Sequence, residues 1–208
     1  MIDFDSCVLY LDSRYFTEKW WWDISKQKNN GEVHGAKIKG IGFYFDGVDD
    51  YVDCGSDSSL DITDAITIGA WVKSNSTPST VCDIVGKRNS SNEGGYIIYY
   101  KPNGILNIGI YDSGWHTTEE SFTLPLNSWQ HLVMLYDGSH LKLFVNGNEE
   151  LTSDYTGDID SIGTPVLVGK SGYEGGIFNG IIDEVRIYNR ALSDEEIKIL
   201  YNLTYRRV

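Results

Sequence analysis

Apolar and polar positions alternate in short runs along most of the chain, with Gly, Asn, Asp and Ser clusters between them. An extended strand points successive side chains to opposite faces, so such runs predict half-buried β-strands bounded by turns. The clearest is Ile66–Lys73, where Ile66, Ile68, Ala70 and Val72 share one face. Similar runs cover Val8–Leu11, Trp20–Trp22, Val33–Ile38, Phe43–Phe45, Tyr51–Cys54, Val81–Lys87, Tyr96–Lys101, Leu106–Tyr111 and Thr117–Phe122. Trp129–Tyr136 is apolar on both faces, which predicts a central strand covered on two sides. Leu141–Val145 and Glu149–Thr152 flank Asn146-Gly147, a pair that tolerates the positive φ angles of a type I′ turn, and so predict a hairpin. Val166–Val168 and Gly180–Asn189 complete the strands.

A helical period is convincing only near the C-terminus. Ser193-Asp194-Glu195-Glu196 fits the S-x-x-E capping box, and Ile197, Leu200 and Tyr201 then fall on one side. The expected architecture is all-β: a two-sheet antiparallel sandwich with a short C-terminal helix, built as a single domain over residues 1–208. Composition agrees, since 22 Gly against 4 Pro suit tight turns and the 41% hydrophobic content can supply a core.

Charge narrows the partners. A net charge of −13 argues against nucleic acid, which needs a basic surface, and equally against docking on anionic lipid. It leaves cations and neutral partners such as glycans. Cys7, Cys54 and Cys82 form no C-x-x-C pair or Cys/His cluster, so a zinc site is not expected and at most one disulfide could form. The opening residues lack the basic n-region of a signal peptide, and no run approaches the roughly 20 apolar residues of a membrane span.

The candidate chemistry begins at Gly180–Ile197, GIIDEVRIYNRALSDEEI. Simple alternation puts Ile181, Asp183, Val185 and Ile187 on one face, so Asp183 would share an apolar surface. A buried carboxylate there requires a cation, a metal ion or a dense set of hydrogen-bond donors. FYFDGVDDYVD, from Phe43 to Asp53, is a second acidic cluster that could supply the other half of a metal site.

At this point the chain resembles a known family. GFYFDGVDDYVDCG, AITIGAWVKS, SWQHLVMLYDGSHLKLFVNGNEE and GIIDEVRIYNRALSDEEI occur in the order typical of laminin G-like jelly-roll domains of the concanavalin A-like lectin/glucanase superfamily. VLYLDS and WWWDISKQKNNGEVHGAKI are similar to the family's opening strand and its D-x-S-x-x-x-N-x-G segment. Many relatives carry small residues where this chain has Lys26 and Lys28, so the loop departs from the pattern there. The resemblance implies a jelly roll whose first and last strands lie side by side. It also implies a structural calcium ion, with Asp46 and Asp183 as ligands. Most such domains are non-catalytic binding modules of secreted enzymes, adhesins, and phage or viral surface proteins.

A glucanase-type site would need paired carboxylates flanking the scissile bond, and no E-x-D tripeptide occurs. The four histidines form no metal-ligand pair, and His131 reads as a structural residue on a buried strand. No enzyme activity is expected. Aromatic residues in loops can instead stack on the apolar faces of sugars. Tyr111 and Trp115 bracket Asp112-Ser113-Gly114, Tyr173 lies in SGYEGG, and Asn89, Asn92 and Glu93 offer polar partners. Trp20, Trp21 and Trp22 cannot all face inward if extended, so an outward ring is expected. Two functions remain open. One is a recognition module binding a glycan or glycosylated surface. The other is an assembly module contacting protein, or other copies, in a larger particle. Either implies a domain of an extracellular or virion-surface protein.

Overall fold

The apolar stripes expected from alternation face one another across two antiparallel sheets in a computed structural model, which describes residues 4–118 and 122–205. One sheet runs, in spatial order, Asn148–Asp154, His140–Val145, Gln130–Tyr136, Ile66–Ser74, Asn179–Tyr188 and Cys7–Phe16. The other runs Ile105–Tyr111, Tyr96–Tyr100, Cys82–Gly86, Leu167–Val168, Tyr51–Asp53 and Gly31–His34. Trp20–Asp23 pairs with both Cys7–Phe16 and Gly31–His34, joining the sheets at one corner and bending the sandwich toward a barrel. The expected run Thr117–Phe122 is split into Trp115–Thr117 and Phe122–Thr123 on the edge of the second sheet; residues 119–121 lie outside the described residues.

Local sequence explains each of these elements. Ile66, Ile68, Ala70 and Val72 are all fully buried between the sheets, as their shared face requires. Leu132, Met134 and Tyr136 enter the same core. The intervening Val133 and Leu135 instead meet Leu192, Ile197 and Leu200 beneath the helix Asp194–Tyr205, which is why that strand is apolar on both faces. The helix starts as the capping box predicts: Glu196 N–H donates to Ser193 Oγ at 3.3 Å and Ser193 N–H to Glu196 Oε2 at 2.9 Å. Near its end, Trp71 Nε1 donates to Thr204 Oγ1 at 2.6 Å. Asn146 and Gly147 take φ values of 52° and 79° in the expected hairpin.

First and last strands are neighbours, with Leu9 opposite Ile187 and Leu11 opposite Val185. The last strand breaks simple alternation, however. Its register with Ile66–Ser74 slips between Asp183 and Arg186, and Glu184 has a φ of +53°. One extra residue at this β-bulge reverses the facing of everything after it. The core residues are therefore Ile182, then Val185 and Ile187. The expected shared face of Ile181, Asp183, Val185 and Ile187 does not form, and Asp183 points away from the inter-sheet core.

Candidate functional site: an aromatic pocket over a buried arginine

The strand Cys82–Gly86 carries a carboxylate into the protein interior. Asp83 is fully buried, and burial pushes its carboxyl up to about 6 while the neighbouring Arg88 guanidinium pulls the other way. Arg88 Nε and Nη2 reach the two Asp83 oxygens at 2.8 and 2.5 Å, a bidentate pair. The same guanidinium donates to Asn92 Oδ1 at 2.8 Å and to Ser171 Oγ at 2.9 Å. One cation thus ties the strand to the turn 89–95 and the turn 171–176. Leaving either partner alone in this buried position would be strongly destabilising, so the two loops are held in place by an interaction the fold cannot easily give up.

Two aromatic rings flank that cation. The Trp115 and Tyr173 ring centres lie 6.0 and 5.9 Å from the Arg88 guanidinium carbon. Trp115 is fixed by its Nε1–H, which donates to the Asn92 carbonyl at 2.8 Å, and by edge-to-face contact with Tyr111 at 5.4 Å. Tyr173 is 46% exposed. Both rings line a surface cavity of about 240 Å³, with Tyr99, Asn92 and Glu174 among its other lining residues. Flat rings beside hydrogen-bonding groups suit a ligand with apolar C–H faces and hydroxyl edges, which is the chemistry of a sugar ring.

The loop residues singled out from sequence therefore have different parts. Trp115 and Tyr173 line the cavity, and Tyr111 supports Trp115 from behind. Asn89 turns its amide inward on its own turn, accepting from Ser91 N–H at 2.8 Å and Glu93 N–H at 3.0 Å and donating to Glu93. Asp83, Arg88 and Glu174 escaped the sequence reading. The available signal was an Asp in an otherwise apolar strand, followed five residues later by an Arg.

The two metal candidates are not brought together. Asp46 lies opposite Asn179, four residues from Asp183 along the last strand, a separation of roughly 13 Å. Ligand oxygens sit about 2.3–2.6 Å from a calcium ion, so one ion cannot bridge these two side chains. Asp183 has the hydrogen-bond donors instead. It accepts from Ser13 N–H at 2.8 Å and Ser13 Oγ–H at 2.9 Å, and from the Glu184 N–H, fastening the first strand to the last. Burial still pushes its carboxyl up to about 7. Asp46 groups with Asp49 and Asp50, their carboxylate oxygens within 4.8 Å of one another. Burial and the two neighbouring carboxylates raise Asp50 above the ordinary range. His131 is buried against Trp71 and pushed down to about 3, hence neutral at pH 7.

The Laminin_G_3 family model, described as the concanavalin A-like lectin/glucanases superfamily, matches residues 46–198. The chain belongs to this family. Among curated proteins none matches. Solved structures share the fold. The binding domain of Paraclostridial Mosquitocidal Protein 1 superposes with a TM-score of 0.79 at 18% identity, covering 97% of this chain and 53% of that one. The receptor binding domain of botulinum neurotoxin mosaic serotype C/D gives 0.74 at 15% identity, over 96% and 51%. Trypanosoma rangeli sialidase gives 0.74 at 17%, over 97% and 33%. This chain therefore spans about half of the two binding domains and a third of the sialidase.

Proposed function

We propose that this member of the lectin-like family is a non-catalytic carbohydrate-recognition module, with residues 1–208 acting as one unit. Its ligand sits over Arg88, between Trp115 and Tyr173. The observation that carries this reading is the pocket itself: two aromatic rings beside the buried Arg88–Asp83 pair, with Asn92 and Glu174 also lining the cavity. Two fold relatives are named as binding domains, one of a mosquitocidal protein and one of a neurotoxin, which supports recognition over catalysis. The setting that fits is an extracellular or virion surface, as a domain of a larger protein.

A cavity of this size holds about one sugar ring, so little area is buried and each hydrogen bond replaces one to water. Single-site binding is weak, and useful strength comes from several copies on one particle. The test is a glycan array probed with monomeric and multivalently displayed protein. Signals should appear or strengthen on multivalent display and vanish for Tyr173→Ala with an unchanged melting temperature. A blank array under multivalent display refutes the reading and favours protein contact.

The structural calcium ion remains part of the proposal, with Asp46, Asp49 and Asp50 as its carboxylates and not Asp183. Six to eight oxygens are needed, so backbone carbonyls and water would complete the shell. Chelation should lower the melting temperature of the native protein and leave Asp49→Asn unmoved. Equal melting of the native protein with and without chelator contradicts the assignment.

A further inference from the structure

The triple tryptophan supplies a second, independent surface. Trp21 is fully buried with its ring 4.5 Å from Phe43, so strand alternation sends Trp20 and Trp22 outward, where they stack 6.1 Å apart. Trp22 is 38% exposed, Phe16 43% and Tyr15 46%. These three rings line one surface cavity of about 560 Å³ together with Arg14 and Lys28. A contiguous aromatic surface of this kind marks a binding site more often than a stray exposed side chain does.

Its charge runs against the rest of the protein. Its lining holds two cations, Arg14 and Lys28, against one carboxylate, Asp23, in a chain whose net charge is −13. Arg14 spends Nε and Nη2 on Asp12, which leaves its Nη1 amino group for a ligand, and its side chain is 54% exposed. Lys28 is exposed and has no ion pair among the described residues. The turn that presents it is rigid. Asp23 is buried and accepts from the N–H groups of Tyr10, Ser25 and Asn29 and from Ser25 Oγ, all between 2.7 and 2.8 Å. The family-like Asp, Ser and Asn of this loop are therefore its internal brace. The two lysines that depart from the family pattern are the residues turned to solvent.

We propose that this face is a ligand site for an acidic polysaccharide, with Trp22 stacking on a sugar ring and Arg14 and Lys28 pairing with its carboxylate or sulfate groups. Arginine's planar fork suits such oxyanions. The charge density of the site selects this occupant. Nucleic acid carries a phosphate at every residue and needs a dense basic stripe, whereas this face offers two cations with donors to spare. A membrane surface would also confront the acidic remainder of the protein. A single polysaccharide strand is influenced mainly by charges within about 8 Å at physiological ionic strength.

The site does not depend on the Trp115–Tyr173 pocket, and the test separates the two. Affinity electrophoresis through hyaluronan, which carries a carboxylate on alternate sugars, should retard the native protein at physiological ionic strength, where the acidic remainder of the protein is screened. Neutral dextran should not. Retardation should weaken at least tenfold in Trp22→Ala and in Lys28→Asn, the latter chosen because Asn tolerates the Lys28 φ of +62°. It should persist in Tyr173→Ala, and melting curves of the variants should match the native protein. Absence of retardation, or retardation untouched by both variants, overturns the proposal. So does stronger binding to phosphatidylserine vesicles or to single-stranded oligonucleotide than to hyaluronan.

Discussion

Replacing Asp183 by Asn tests whether this carboxyl is a hydrogen-bond anchor or a metal ligand. Burial raises its folded pKa to about 7, against about 3.9 for an unfolded Asp. Between those values the folded protein keeps a proton that the unfolded chain has released. Stability linked to this group is therefore greatest at acid pH and declines as pH rises toward 7. A gap of about three pK units corresponds to roughly 4 kcal/mol as an upper bound, at about 1.36 kcal/mol per unit. Asn keeps an acceptor for Ser13 N–H, and the Ser13 hydroxyl can rotate to accept from the new amide, at a cost of about 1 kcal/mol. Urea unfolding should give similar stabilities for the two proteins near pH 5. Near pH 8 the Asn variant should lead by up to about 3 kcal/mol. Asp83, raised to about 6, slopes the same way but is present in both proteins, so their difference isolates Asp183. A native stability that instead climbs from pH 5 to 8, with Asp183→Asn falling behind, would refute the anchor and point to a bound cation.

Two further outcomes follow from the buried and capped groups. Arg88→Met leaves Asp83 buried without its partner and should cost about 3–5 kcal/mol in chemical denaturation; adding Asp83→Leu should recover most of that stability while glycan-array signals stay lost, because the loops are no longer tied. Ser193→Ala should lower stability by about 1 kcal/mol through loss of the cap to Glu196, and an unchanged unfolding midpoint would contradict the capping geometry.

Much of the sandwich was legible because alternation, turn chemistry and capping are local properties. Ile66 to Val72, Asn146-Gly147 and Ser193 each decide their conformation within a few residues, and the two-faced run Trp129–Tyr136 disclosed a strand covered on two sides, though not that the second cover is the C-terminal helix. The bulge at Asp183 was not legible. It needs a non-glycine residue, Glu184, at positive φ, and the register with Ile66–Ser74 settles it, not the strand's own pattern. That single slip moved Asp183 off the expected face. The distance from Asp46 was hidden for the same reason, since register is a property of strand pairs. At the pocket, Trp115 and Tyr173 were visible as aromatics near predicted loops, although Trp115 opens the short strand Trp115–Thr117. Their common anchor, Arg88, was not, because the contact joins residues far apart in sequence. The family-like motifs that identify the fold mostly brace it, as Asp23 does for its loop, while the pocket falls in segments between them.

The central claim is that a sugar occupies the space between Trp115 and Tyr173. The most direct measurement is the indole N–H region of a ¹⁵N correlation spectrum during titration with the oligosaccharide giving the strongest array signal. The Trp115 resonance, assigned through Trp115→Phe, should shift progressively, since its N–H is bonded to the Asn92 carbonyl at the cavity wall. The Trp71 resonance, buried beneath the helix, should stay still. A saturating titration that moves other indoles and leaves Trp115 unmoved would contradict the claim.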